Sequence, residues 1–325
     1  MFMYKILFFN MLIISTFIAI SSYNWLGMWM GLEINLMSFI PLMKSKNLYS
    51  SESSIKYFIT QALASTLILF TIILFNNKYL INLSSINYLM MNIALLTKMG
   101  AAPFHFWFPE ISEGINWINN LILLTWQKIT PMLIMMYNSY MNIFFIMIIM
   151  FCMMISSLMG LNQISLRKIM VFSSINNIGW MIPSIMFSQS IWFIYFLIYS
   201  LLNMNLIFIF MFYNFYYFNQ FNYMNKLNNY IKIIMFLNFL NLGGLPPFMG
   251  FYSKWLTINL MLLYNLNIIA LLMILFTLIV LYYYIRMFYM SLTLNTNMKM
   301  IKIINNKFFY MSFILLSMSP MIYLM

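Results

Sequence analysis

Two stretches of the chain share one skeleton, Lys98-x-Gly100-x-x-Pro103 and Asn241-x-Gly243-x-x-Pro246, 143 residues apart. Both interrupt long apolar segments that a helix would otherwise cross unbroken. Gly and Pro at these spacings free backbone carbonyls for which lipid has no donor. Such breaks survive only against protein or a watered cavity. Paired interruptions in corresponding places of two halves point to an ion or substrate path. The skeleton predicts helix breaks at Gly100 and Pro103, and at Gly243, Pro246 and Pro247.

Composition supports a membrane setting. Of 325 residues, 64% are hydrophobic and 6% charged, with a mean hydropathy of +0.90, so no water-soluble fold is expected. No polar run is long enough for a soluble domain, and residues 1–325 read as a single membrane domain. The bias towards Met (37), Phe (33) and Tyr (23), with no Asp, follows AT-rich codons and suggests organelle-encoded synthesis. Residues 1–22 show an apolar run without a small-residue cleavage site, and read as a retained first span. A single Cys152 permits no intrachain disulfide, iron–sulfur cluster or thiolate zinc site, and a single His105 excludes bis-histidine haem. Neither a metal site nor a redox centre is expected in this chain.

Windows of about 20 apolar residues give eleven expected spans, near 5–23, 25–43, 54–75, 86–106, 116–136, 141–160, 169–187, 190–214, 232–258, 264–288 and 308–324. Charge tests the count, because alternate loops should differ in Lys and Arg content. The N-terminal segment and the loops after even-numbered spans hold twelve of the sixteen basic residues, among them Lys44, Arg167 and Lys226. The opposite side holds Lys78 alone; Lys98, Lys128 and Lys254 lie within spans. The net charge of +12 is therefore a topology signal. Its basic residues do not cluster with stacking aromatics, so no nucleic-acid partner is expected. Spans in 5–136 and 141–288 match as an inverted repeat with the fourth helix of each set broken, and the last span is an appendage. The fold class is an all-α polytopic membrane protein.

Glu33, Lys98 and Lys128 fall near span centres, each at an insertion cost of roughly 2.5–3.5 kcal/mol. Two readings stand side by side: proton-carrying groups, or an ion pair locking helices together. Lys254, seven residues past Pro247, either joins the buried set or snorkels to the interface. All the intramembrane cations are lysines, and an ammonium can release a proton where a guanidinium cannot. Moving one charge against roughly 180 mV needs about 4 kcal/mol, which the opening and closing of a buried Glu–Lys pair can supply. His105 is either a relay towards Lys98 or a donor to carbonyls at the break. Gly27 and Gly31 form a small-residue pair that lets a neighbouring helix approach near Glu33.

The stretches WLGMWMGLEINLMSFIPL (25–42), LLTKMGAAPFHFWFPE (95–110), LILLTWQKITPM (121–132), GLNQISLRKIMVFSSINNIGWM (160–181) and NLGGLPPFMGFYSKW (241–255) resemble the NADH–ubiquinone oxidoreductase chain 2 family, membrane subunits of respiratory complex I, with an insect-like composition. The resemblance implies an antiporter-like fold in the mitochondrial inner membrane, with the lysine-rich side facing the matrix. It implies that Glu33 and Lys98 form a modulating pair, that Lys128 is the central proton carrier and that Lys254 is the distal one. It implies NADH oxidation by ubiquinone coupled to proton pumping, with FMN, iron–sulfur clusters and ubiquinone sites in other subunits. Expected partners are the other membrane subunits of complex I and membrane lipids, including cardiolipin at the basic rim. Asn177 stands where relatives often carry His, which leaves any relay through that point open. A cation/proton antiporter subunit and a non-pumping scaffold are the competing readings. Sodium coordination favours acids near the breaks, and Glu33 is the only acid central to a span.

This topology predicts that the N-terminus and the 215–231 loop face the matrix and the C-terminus the intermembrane space. Protease added to intact mitoplasts should leave the 215–231 loop uncut; cleavage there would overturn the orientation.

Overall fold

A computed structural model describes residues 3–45, 48–76, 84–138, 142–220 and 229–293. Thirteen α-helices occur among them. They are α1 (Met3–Ser21), α2 (Trp25–Met43), α3 (Leu48–Asn76), α4 (Ser84–Met99), α5 (Trp107–Gly114), α6 (Trp117–Leu124), α7 (Trp126–Met136), α8 (Asn142–Leu161), α9 (Leu166–Phe187), α10 (Gln189–Tyr213), α11 (Asn229–Gly243), α12 (Met249–Leu263) and α13 (Asn267–Thr293). Helix is what an apolar chain must form in lipid, because it satisfies backbone groups within the segment. Seven of these helices are long and apolar enough to cross a membrane: α1, α2, α3, α8, α9, α10 and α13. The expected span at 308–324 lies outside the described residues, as do Lys46, Lys78, Lys226, Lys299, Lys302 and Lys307.

The chain divides into two compact units, Met1–Ile148 and Ile149–Met325. In the first, α1 packs closely along α2. A Cβ on Gly31 would lie 2.6 Å from the Ala19 Cβ, so the small residue is what brings the two backbones together. Lys56, near the start of α3, pairs with Glu110 in the first turn of α5 at 2.8 Å. That contact sets those two helix starts at one end of the unit. In the second unit, α9 is the enclosed helix, with 94% of its apolar window buried. An antiparallel bridge joins Ser165 to Tyr217, with Leu166 N–H donating to the Tyr216 carbonyl at 2.9 Å and Phe218 N–H to the Ile164 carbonyl at 2.8 Å. Arg167 lies over the Tyr216 ring and Arg286 over the Phe218 ring. The segments after α8 and α10 and the C-terminal part of α13 therefore share one end of their unit.

Both predicted interruptions are present as gaps between helices, 100–106 and 244–248. Each opens with the same cap. Gly100, at φ +71°, follows α4, and Gly244, at φ +78°, follows α11. Gly100 N–H donates to the Thr97 carbonyl and Ala101 N–H to the Leu96 carbonyl. Gly244 N–H donates to the Asn241 carbonyl and Leu245 N–H to the Leu240 carbonyl. This paired 5→2 and 6→1 bonding is the Schellman motif. The equivalence is therefore 144 residues, one more than the letter skeleton suggests: Gly243 is the last helical residue and Gly244 takes the left-handed turn. The peptide bonds Ala102–Pro103 and Pro246–Pro247 are cis and obey the same 144-residue offset.

A third interruption divides the expected span 116–136 at Thr125. Pro131, inside α7, has no N–H for the Gln127 carbonyl and its ring crowds that group. One turn earlier, the Thr125 hydroxyl donates to the Leu121 carbonyl at 2.7 Å, and Lys128 N–H takes a shortened bond to the Thr125 carbonyl.

Replacing Gly100 by Ala places a side chain in the left-handed region, which costs roughly 1–2 kcal/mol, and puts a Cβ 2.8 Å from the Phe108 ring. Gly100→Ala should lower the thermal stability of the assembled protein by at least that amount. An unchanged melting profile would show that the cap is dispensable.

Candidate functional site

In the first unit, the break after α4 frees carbonyls of its last turn, and neutral side-chain donors take two of them. The Trp107 indole Nε1–H donates to the Thr97 carbonyl at 3.0 Å, and the Gln61 Nε2–H donates to the Lys98 carbonyl at 3.4 Å. Lys98 itself, 6% exposed, is spared that task. Its side chain lines a cavity of about 10 Å³ together with Asn35, Tyr57, Gln61, Gln127 and Thr130, room for about one water. The polar wall is connected: the Tyr57 hydroxyl donates to Gln127 Oε1 at 3.3 Å, and Gln127 Nε2 to Asn35 Oδ1 at 2.8 Å. The Thr130 hydroxyl, on the same wall, is buried with no hydrogen-bond partner in the protein.

Glu33 lies on α2, and its charge acts on Lys98 through space. The two make no ion pair within 4.0 Å. Lys128 is 2% exposed, in the first turn of α7. Its Nζ sits 5.3 Å from the centre of the Phe108 ring. The same ring packs on Gly100, so one aromatic side chain separates the first break from Lys128. His105 is buried inside the break, with Nδ1 3.3 Å from the Pro103 carbonyl, the geometry of a donor to a freed carbonyl.

The second break is closed by a charge. Lys254, on α12, is 6% exposed and folds back rather than reaching outward. Its Nζ donates to the Gly243 carbonyl at 2.8 Å and to the Leu242 carbonyl at 3.4 Å, and it lies 5.9 Å from the centre of the Trp180 ring. Cations are favoured at a helix C-terminus, where the carbonyl dipoles converge. In return, the Asn241 side chain accepts from Gly250 N–H at 2.7 Å and caps the start of α12. Lys254, Asn241, Asn177, Tyr195, Tyr199 and Ser253 line a second cavity of about 10 Å³. The Tyr195 hydroxyl donates to Asn177 Oδ1 at 2.8 Å. All four acids of the chain, Glu33, Glu52, Glu110 and Glu113, precede residue 114, so the second unit supplies Lys254 with no carboxylate.

The composition of the site, buried lysines at or beside interruptions of apolar helices, is that of an antiporter-like ion-translocating membrane protein. The family model described as NADH:quinone oxidoreductase/Mrp antiporter, transmembrane part, matches residues 22–281. The NADH-ubiquinone oxidoreductase chain 2 proteins of Anopheles gambiae and Aedes aegypti are 49% and 51% identical to this chain. Those alignments cover 89% and 90% of it and 86% of each relative. A chain of respiratory complex I from Thermus thermophilus with bound aureothin is similar in fold. It has a TM-score of 0.81 at 19% identity, over 89% of this chain and 70% of that one. The chain belongs to the NADH:quinone oxidoreductase/Mrp antiporter family of membrane subunits, in the branch of NADH-ubiquinone oxidoreductase chain 2.

The polar wall around Lys98 depends on Trp107 and Gln61 holding the α4 carbonyls. Trp107→Phe deletes one donor and should destabilise the protein by about 1 kcal/mol, read as a drop in thermal stability of the purified assembly. No change would mean that the Gly100 N–H, which also reaches the Thr97 carbonyl at 3.1 Å, suffices alone.

Proposed function

We propose that this chain is a proton-translocating membrane subunit of respiratory complex I in the mitochondrial inner membrane. In this reading NADH oxidation by ubiquinone takes place in other subunits, which carry the flavin, iron–sulfur and quinone sites, and this chain supplies part of the proton path. The observation that carries the proposal is the burial of Lys98, Lys128 and Lys254 to 6%, 2% and 6% exposure, two of them against small polar cavities. Intramembrane ionisable groups are costly and mark ion pathways and proton relays.

In this mechanism Glu33 sets the state of Lys98. When the pair closes, the carboxylate holds the ammonium; when it opens, the proton is available to water in the Tyr57–Gln127–Thr130 cavity. Lys128 receives the proton beyond Phe108, and Lys254 is the distal carrier. His105 is a donor within the first break and a candidate relay at its edge. The basic ends of both units supply anionic lipids such as cardiolipin with cationic contacts, and the neighbouring membrane subunits pass the charge on. With the basic side in the matrix, the N-terminus lies there and the C-terminus in the intermembrane space.

Arginine keeps the positive charge but does not release a proton. Lys98→Arg and Lys128→Arg should assemble and should each cut proton pumping at least about tenfold, equivalent to ~1.4 kcal/mol of added barrier. Proton uptake per NADH oxidised in proteoliposomes is the measurement. Glu33→Gln should impair pumping with little loss of assembly, because the side chain remains isosteric. Normal pumping in both arginine variants would leave the scaffold reading standing.

A further inference from the structure

The two breaks share a cap and differ in what meets their carbonyls. At the 144-residue offset, the Lys98 carbonyl corresponds to that of Leu242. The first accepts from the neutral Gln61 amide, the second from the Lys254 ammonium. The next carbonyl, Gly243, also accepts from Lys254. Two convergent carbonyls at the C-terminal end of a half-helix are the ligands that broken-helix transporters present to sodium. Beside them the second cavity brings neutral oxygens from Asn177, Tyr195 and Ser253, and hard cations take such oxygens.

We infer that the Lys254 ammonium is a tethered cation on a carbonyl site that would otherwise accept an alkali metal ion, and that this residue thereby makes the second break selective for protons over sodium and potassium. The inference rests on the proton-carrying reading above and adds the origin of its ion choice. A tethered group competes at an effective concentration in the millimolar range or higher, so a free ion displaces it poorly. When the ammonium gives up its proton, the amine and its four-carbon stem still fill the place, and only a proton has left. No carboxylate follows Glu113 in the sequence, so no acid of this unit offsets the charge of a second cation brought beside Lys254. At the first break the carbonyl equivalent to that of Leu242 is held by Gln61 and the one before it by Trp107, so removing the Lys98 side chain frees neither.

The test is equilibrium binding of radioactive sodium to the whole purified complex, with the wild-type chain, Lys254→Ala and Lys98→Ala. Lys254→Ala should raise bound sodium at a fixed sodium concentration at least about tenfold over wild type, equivalent to ~1.4 kcal/mol. Lys98→Ala should bind no more than wild type. Sodium binding by Lys254→Ala no greater than wild type, or equal gains in both variants, overturns the inference. If Lys254→Ala does not assemble, its assembly in isolated mitochondria is compared in sodium chloride and choline chloride. Recovery in sodium alone supports a carbonyl cation site, and failure in both overturns it. These readouts need no pumping, so they are separate from the arginine variants that decide the proton-carrying reading.

Discussion

A backbone carbonyl freed inside a membrane must find a donor, and the arrangement of this protein follows from how it does so. Each unpaired group in hydrocarbon costs several kcal/mol. The chain nevertheless interrupts two apolar helices, and the Schellman caps at Gly100 and Gly244 satisfy only part of what is freed. The remainder draws polar donors into the membrane interior: Trp107 and Gln61 at one break and Lys254 at the other, where Asn241 in turn accepts from the Gly250 N–H. Those side chains, or their neighbours, line the cavities beside the lysines. Polar lining at this depth is thus a consequence of the breaks.

The difference between the breaks separates the roles of the lysines. Lys98 lines its cavity while neutral groups hold the helix end, so its charge can change without unfastening α4. Lys254 is itself the fastening, and a change in its charge alters the strongest contact at the end of α11. The charge of Glu33 acts on the first lysine, and the second unit contains no Asp or Glu. In the proposed mechanism the first lysine answers to a carboxylate, whereas the second rests on backbone dipoles.

Much of this was legible in residue order, because Gly and Pro inside an apolar run announce a break and Lys in such a run announces a cost. The positions of the gaps after α4 and α11 follow from that. The register of the repeat does not, since both Gly243 and Gly244 are glycines and only the cap geometry shows which turns left-handed. The interruption at Thr125 was hidden because Leu121–Lys128 contains no Gly or Pro; the signal was Pro131, acting one turn upstream. Asn35 on α2, Tyr57 and Gln61 on α3 and Gln127 on α7 line the Lys98 cavity from three separate helices, a coincidence that spacing along the chain does not encode. The sequence leaves Lys254 the alternative of reaching the interface, and the two carbonyls that hold it are visible only with α12 folded back on α11. Asn177 faces the same cavity as Lys254, hydrogen-bonded to Tyr195, a contact that its place in the sequence does not announce.

The account depends on unequal capping of two alike breaks, and density for the assembled protein at a resolution that shows ordered water tests it most directly. The account predicts Lys254 Nζ within hydrogen-bond reach of the Gly243 and Leu242 carbonyls, and Lys98 Nζ clear of its own helix end with a water between it and Thr130. A Lys254 side chain extended to the lipid interface, or a Lys98 ammonium bound to the α4 carbonyls, would contradict it.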